Sequence, residues 1–221
     1  MTMEKTSYKT VAGPGTDEFT VEKSRFIGMA RPCATEEEAL DFLRETREKY
    51  RDARHCCFAY IIGRNMGVMR YSDDGEPGGT AGMPIIETMK QTGVTDCCVA
   101  VVRYFGGILL GTGGLTRAYR RACTVALAAA GVSVMIPTVR FLAEVSYADW
   151  NRVRHALKDM PVRTENVSFG AAVEAQCAVP AAAYERVAEK LTTLCDGRID
   201  CVTVEEGYMP WPDEETAEMD G

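Results

Sequence analysis

Val101-Val-Arg-Tyr-Phe-Gly-Gly-Ile-Leu-Leu-Gly-Thr-Gly-Gly-Leu-Thr-Arg-Ala-Tyr119 changes character twice along its length. It begins in an unbroken apolar run, Val99-Ala-Val-Val102, which suits a strand covered on both faces. A glycine-rich connection follows, Gly106–Gly114, and then an Ala-rich helix from about Leu115 to Ala130, stopped by Gly131. Leu115, Ala118, Ala122, Val125 and Ala129 mark the inner stripe of that helix. Strand, glycine connection and helix N-terminus together present backbone N–H groups and a positive dipole end, which attract phosphate. The glycines also permit close packing of strand on helix. The connection is no nucleotide P-loop, because Thr112-Gly113 stands where that motif requires Lys-Ser/Thr.

Upstream, a short helix is bracketed by Pro84 near its start and Gly93 just past its end. Before it lies a turn-forming stretch, Ser72–Gly82, and before that a hairpin, Phe58–Ile62 with Gly67–Tyr71 across a Gly-Arg-Asn turn. An earlier helix opens on a capping box, Thr35 with Glu38, and carries Leu40 with Leu43 and Ala39 with Phe42 at helical spacing. Thr16–Ala30 alternates as β-structure. Downstream the texture changes: a strand from Thr138 to Val145, a helix with Trp150, Val153 and Leu157, and a strand near Val167. Ala171, Val173, Ala175, Cys177 and Val179 then alternate, followed by a helix with Tyr184, Val187, Leu191 and Leu194 and a last strand, Ile199–Val204. That order, β-α-β-β-α-β, is the ferredoxin-like split unit. The reading is an α+β chain of two domains, 1–136 and 137–206, followed by a flexible acidic tail at 207–221.

With 221 residues, 46% of them apolar and 26% charged, the composition is that of a globular protein, and collagen-like, disordered and membrane-spanning classes are excluded. No leader is read in the polar stretch Met1–Thr10, so the expected compartment is the cytoplasm. The nine cysteines, two pairs of them adjacent (Cys56-Cys57 and Cys97-Cys98), make no disulfide framework and read as buried small hydrophobes. Charge is uneven: Met1–Ile136 holds 17 basic and 16 acidic residues, and Pro137–Gly221 holds 8 and 16. Seven acids from Glu205 onward, with no basic residue among them, read as a solvated tail.

Two stretches carry candidate chemistry. Tyr71–Pro84 crowds Asp73, Asp74 and Glu76 among glycines and prolines. Such carboxylates can hold a hard cation or act as acid and base, but the favoured reading is a rigid exposed turn whose carboxylates bind local amides. In the second stretch Arg103, with Tyr104 and Phe105 beside it, and Arg117 and Arg121, one helical turn apart, offer the cation-and-aromatic chemistry that stacks unpaired bases and holds a phosphate backbone. The plain alternative is a solvated helix face with core aromatics. His55 and Cys57 share one face of a strand and Cys56 takes the other, and two soft ligands do not make a zinc site. His155 reads as an exposed helix residue.

Lys23-Ser-Arg-Phe26, Ala53-Arg-His-Cys-Cys-Phe-Ala-Tyr60, Asp73-Asp-Gly-Glu-Pro-Gly-Gly-Thr-Ala-Gly-Met-Pro84, Arg103-Tyr-Phe-Gly-Gly-Ile-Leu-Leu-Gly111 and Gly113-Gly-Leu-Thr-Arg-Ala-Tyr119 together resemble the IMPACT/YigZ family. The resemblance extends over nearly the full chain except the acidic tail. It implies a first domain with the left-handed β-α-β fold shared by the second domain of small-subunit ribosomal protein five and the fourth domain of elongation factor G. The implied second domain is similar to the fifth domain of that factor. Eukaryotic relatives are translation regulators. The resemblance brings no catalytic residues, cofactor or metal. It marks two loops as functional surface: Asp73, Asp74, Gly75, Glu76 and Pro77, and Arg103, Tyr104, Phe105, Gly106, Gly107 and Arg117. Beside these, His55 is a candidate with the first loop, and Gly111, Gly113, Gly114 and Arg121 are candidates with the second for binding RNA, protein or phosphate. The expected function is a non-enzymatic factor that binds the ribosome, structured RNA or a translation-associated protein, with no membrane partner. The alternative is an enzyme acting on a small phosphorylated or nucleotide ligand held at Gly106–Gly114.

Overall fold

The apolar run ahead of the glycines becomes the middle strand of a five-stranded sheet. The structure is a computed structural model that describes residues 6–211, and these fall into two units, one of Tyr8–Val134 and a second made of the residues from Met135 onward together with Thr6 and Ser7. The first unit contains β1 (Tyr8–Val11), β2 (Gly15–Val21), β3 (Ser24–Pro32), α1 (Glu36–Lys49), β4 (His55–Ile62), β5 (Val68–Ser72), α2 (Gly82–Thr92), β6 (Cys97–Tyr104) and α3 (Gly111–Ala130). Its sheet runs β2-β3-β6-β4-β5, with antiparallel neighbours throughout. Cys97, Val99 and Val101 enter a core shared with Ile85 and Met89 of α2 and Ala122 of α3. Cys98, Ala100 and Val102 enter another, shared with Ala39 and Phe42 of α1. Side chains alternate along a strand, so helices on both faces account for the unbroken apolar sequence.

At the start of α1, Thr35 Oγ1 accepts the Glu38 N–H at 3.2 Å, while the Glu38 carboxylate takes the N–H of Ala34 at 2.7 Å and leaves that of Thr35 itself. Of the two helical spacings, Ala39 and Phe42 are buried in the core, while Leu43 packs half-buried against it and Leu40 is 52% exposed. Helix α3 starts at Gly111, a turn earlier than Leu115. Its buried stripe passes from Ala122 to Cys123, Ala126, Leu127 and Ala130, while Val125 is half-buried and Ala129 exposed. Small residues on that stripe allow a close approach to β3. At Gly28 an added Cβ would stand 2.3 Å from the Ala122 carbonyl oxygen.

The second unit holds the Met135–Val145 part of β7 (Val132–Val145), then α4 (Tyr147–Lys158), β8 (Arg163–Phe169), β9 (Val173–Pro180), α5 (Tyr184–Leu194) and β10 (Ile199–Pro210). The β-α-β-β-α-β order is the one read from the sequence. Strand β7 lies between β10 and β9, with β8 outside β9, all antiparallel. Trp150, Val153 and Leu157 of α4 and Val187 and Leu191 of α5 pack on Phe141, Val173, Ala175 and Cys177 of the sheet. Ala171 lies ahead of β9 and is exposed, so the alternation begins at Val173.

The last strand does not stop at Val204. It continues to Pro210, and Trp211 is buried, its Nε1–H donating to Thr138 Oγ1 at 2.9 Å and its ring under Arg163 at 4.2 Å. A tail beginning at residue 207 is thereby corrected: Gly207–Trp211 is ordered, and the later acids, Asp213 onward, lie outside the described residues. The strand tolerates Glu205 and Glu206 because its order comes from backbone pairing with β7 and from an ion pair of Glu205 with Arg140 at 2.8 Å. Eight of the nine cysteines are buried. Burial pushes the Cys56 thiol up to about 11 and Cys97 up to about 12, so both stay protonated at neutral pH. No helix among the described residues is long and apolar enough to cross a membrane.

Candidate functional site

The three clustered carboxylates of the turn face three different partners. Asp73 accepts the N–H groups of Gly79, Ala81 and Gly82 at 2.8, 2.9 and 2.8 Å, capping the start of α2 from outside the helix. Asp74 and Gly75 take left-handed conformations, with φ of 42° and 85°, as the turn reading expected. The Asp74 carboxylate accepts the Cys56 N–H at 2.7 Å and pairs with Arg47, while its carbonyl oxygen faces His55 Nδ1 at 2.8 Å. A carbonyl can only accept, so His55 carries a proton on Nδ1. Glu76 turns inward and is 8% exposed.

Burial raises the Asp73 pKa, but the three amides outweigh it and hold the carboxyl below its ordinary 3.8. With a folded pKa below the unfolded one, its contribution is complete above about pH 4 and is lost as pH falls through the folded value. Asp73→Asn is expected to lower stability at pH 7 by about 1 kcal/mol, because the amide keeps one acceptor oxygen of the two that the three N–H groups use and loses the charge. The deficit shrinks by pH 3, as urea denaturation at the two pH values will show. An equal deficit at both would mean that the charge on Asp73 does no capping.

Arg103, expected as an exposed cation, is 6% exposed and sits under the turn. Its Nη1 donates to both Glu76 oxygens at 2.8 and 3.0 Å, and its guanidinium carbon lies 5.6 Å from each of the Phe26 and Phe105 ring centroids. Tyr119 donates to Glu76 Oε1 at 2.8 Å, and the Cys57 thiol reaches the Tyr119 oxygen at 3.4 Å and the Asp73 carbonyl at 3.0 Å. Burial pushes both the Cys57 and Tyr119 pKa values well up, so neither ionises in the physiological range. Ser24 Oγ accepts the Gly106 N–H at 3.2 Å and lies 3.5 Å from Arg103 Nη2. Arg103 Nε is buried with no hydrogen-bond partner among the described residues. Tyr104 takes the other face of β6, where its hydroxyl donates to Asp52 at 2.8 Å beneath Arg25. It therefore does not stack beside Phe105.

Two clefts of about 420 Å³ each open on the β6–α3 connection. Arg54, His55, Gly75, Glu76, Pro77, Arg103, Phe105, Gly111 and Thr112 line one. Phe19, Glu22, Ile108, Gly114, Arg117 and Arg121 line the other, and Leu109 and Leu110 contribute to both. The structure thus separates Arg103 from Arg117 and Arg121. Gly111, Gly113 and Gly114 belong to the first turn of α3 and not to a loop. Gly107 has φ 86°, and Gly106 lies against the backbone of Lys23. Ser24, Arg54, Leu109, Thr112 and Tyr119 were missed as site residues. All but Thr112 lie inside the motif segments quoted above, which was the one available signal.

Fold and site together define an α+β protein of two units whose first carries a buried Glu–Arg–Tyr network beneath a glycine-rich strand-to-helix connection. The chain matches the Impact N-terminal domain over residues 22–127 and DUF1949, a domain of unknown function, over residues 144–198. IMPACT family member YvyE of Bacillus subtilis (strain 168) is 34% identical over 206 residues, covering 93% of each chain. IMPACT family member YigZ of Escherichia coli (strain K12) is 33% identical over 202 residues, covering 90% of this chain and 99% of that one. A crystal structure described as that of a hypothetical protein superposes with a TM-score of 0.58 at 33% identity, covering 90% of this chain and 98% of its own. The chain belongs to the IMPACT family.

Proposed function

We propose that the protein is a non-enzymatic cytoplasmic factor that binds the ribosome through RNA, using the Arg117–Arg121 face of α3 and the adjoining connection. The observation that carries this reading is the pairing of charge with protruding apolar surface. Arg117 and Arg121 are exposed and have no acidic partner among the described residues, and Leu109 beside them is 86% exposed. Arg121 also lies over the Phe19 ring at 4.2 Å. Cations one helical turn apart suit successive phosphates, and the apolar tip suits an unpaired base. The implied fold of the first unit, that of the second domain of ribosomal protein five, and the ferredoxin-like second unit both support the reading by analogy with ribosome-binding proteins.

The test is cosedimentation of the full chain with ribosomal subunits at low and high salt. Wild type is expected to pellet with a subunit, and raising salt from 50 to 200 mM should weaken binding by about tenfold or more, because phosphate contacts release counterions. The double variant Arg117→Glu/Arg121→Glu should lose at least as much while keeping its circular dichroism spectrum. Wild type remaining in the supernatant at both salts would end the ribosome reading.

A further inference from the structure

We infer that the cleft between the Asp73–Thr80 turn and the start of α3 is a binding site for a nucleoside 5′-monophosphate group. This goes beyond ribosome contact, since it concerns the other cleft and a different ligand. Two independent observations meet there. Helix α3 opens at Gly111 and Thr112 with no side-chain cap and no acid in its first turn, so its N–H groups and dipole face the cleft uncompensated. Arg103, whose side chain is 7% exposed, lines the same cleft and carries a buried Nε–H that no acceptor among the described residues meets. A buried donor without an acceptor is rare in a native protein and calls for a partner.

The surrounding groups set the chemistry of that partner. Arg103 is already neutralised by Glu76, so the unbalanced positive charge comes from Arg54, exposed and with no acidic partner among the described residues, together with the helix end. That combination selects an anion with several acceptor oxygens. The remaining wall is apolar: Pro77, Leu109, Leu115 and the ring of Phe105. Phe105 covers the Arg103 guanidinium with one face yet is 51% exposed, which leaves ring surface for a flat partner. A phosphate on the α3 N–H groups and Arg54, with a base against Phe105, satisfies both halves of the cleft. One phosphate oxygen entering beside the ring then supplies the acceptor that Arg103 Nε lacks. Stacking on an aromatic ring tolerates any base, so the site should show little base preference.

The same chemistry can come from a free mononucleotide or from the 5′-phosphorylated end of an RNA, and the experiment separates them. The full chain is titrated calorimetrically with AMP, UMP, adenosine, orthophosphate, and a ten-nucleotide RNA with or without a 5′-phosphate. AMP and UMP are expected to saturate a single site with affinities within about threefold of each other, and adenosine and orthophosphate to bind at least tenfold more weakly. Phe105→Ala and Arg54→Ala should each weaken AMP at least about fivefold. Arg117→Glu lies on the other cleft and should leave AMP binding unchanged while reducing cosedimentation, so the two proposals fail separately. Tighter binding of the phosphorylated RNA than of AMP assigns the ligand to an RNA end, and the reverse assigns it to a free nucleotide. The inference is overturned if neither AMP nor the phosphorylated RNA saturates the site. It is also overturned if orthophosphate binds as well as AMP and Phe105→Ala has no effect.

Discussion

Arg103→Ala lowers the stability of the first unit by about 3–5 kcal/mol, the cost of leaving one member of a buried ion pair alone. Both side chains are almost fully enclosed, at 7% and 3% exposure, and among the described residues the Glu76 carboxylate would keep only the Tyr119 hydroxyl as a donor. The loss extends beyond the pair, since the guanidinium also fills the space between Phe26 and Phe105. Urea denaturation followed by circular dichroism measures it. Arg103→Met/Glu76→Gln keeps an oxygen acceptor for Tyr119 and removes the stranded charge. It should recover at least about 1 kcal/mol relative to the sum of the single losses, as contacting residues couple. A single variant as stable as wild type would show that Arg103 is not part of the architecture and would return it to the exposed role read from the sequence.

Gly106→Ala is expected to cost about 3 kcal/mol, at the upper end of overpacking effects. An added Cβ would lie 2.0 Å from the carbonyl carbon and oxygen of Lys23 and 2.5 Å from the Ser24 nitrogen, and backbone cannot turn aside as a side chain can. The connection must then lift from β3, which breaks the Gly106 N–H bond to Ser24 Oγ and loosens the support of Arg103. Gly113→Ala is the control, because its Cβ would meet nothing nearer than Arg117 Nη1 at 3.6 Å, within α3. It should gain about 0.5–1 kcal/mol from helix propensity. If both substitutions shift the urea midpoint alike, close approach is not what requires glycine at 106.

The elements with the strongest periodicity were legible at once. The hairpin of β4 and β5, the Gly93 stop of α2 and the six-element order of the second unit all stand where the pattern placed them. Strand β1 was missed, because Tyr8-Lys-Thr-Val11 is too short and polar to carry a period; it is held by pairing with β7 and by an isolated bridge of Lys9 to Val94. The start of α3 was missed for a related reason. Glycine is a poor helix former, yet Gly113 and Gly114 turn helical once Leu110 and Leu115 are anchored in the fold, and Gly111, with φ 67°, makes the entry to the helix.

By itself the sequence determined the two-unit α+β organisation, the doubly covered β6, the turn character of Asp73–Gly82 and the family. All of these follow from local spacing or from long motifs. The tertiary structure alone decided which candidate residues share a site. Arg103 and Tyr104 are adjacent in the chain but alternate across β6, so one is sealed against Glu76 and the other is tied to Asp52. Arg103 and Arg117 look like one basic cluster in the sequence, yet they line different clefts. Burial and pairing depend on which distant segments meet, here Ser24, Cys57, Glu76 and Tyr119, and no local pattern encodes those meetings.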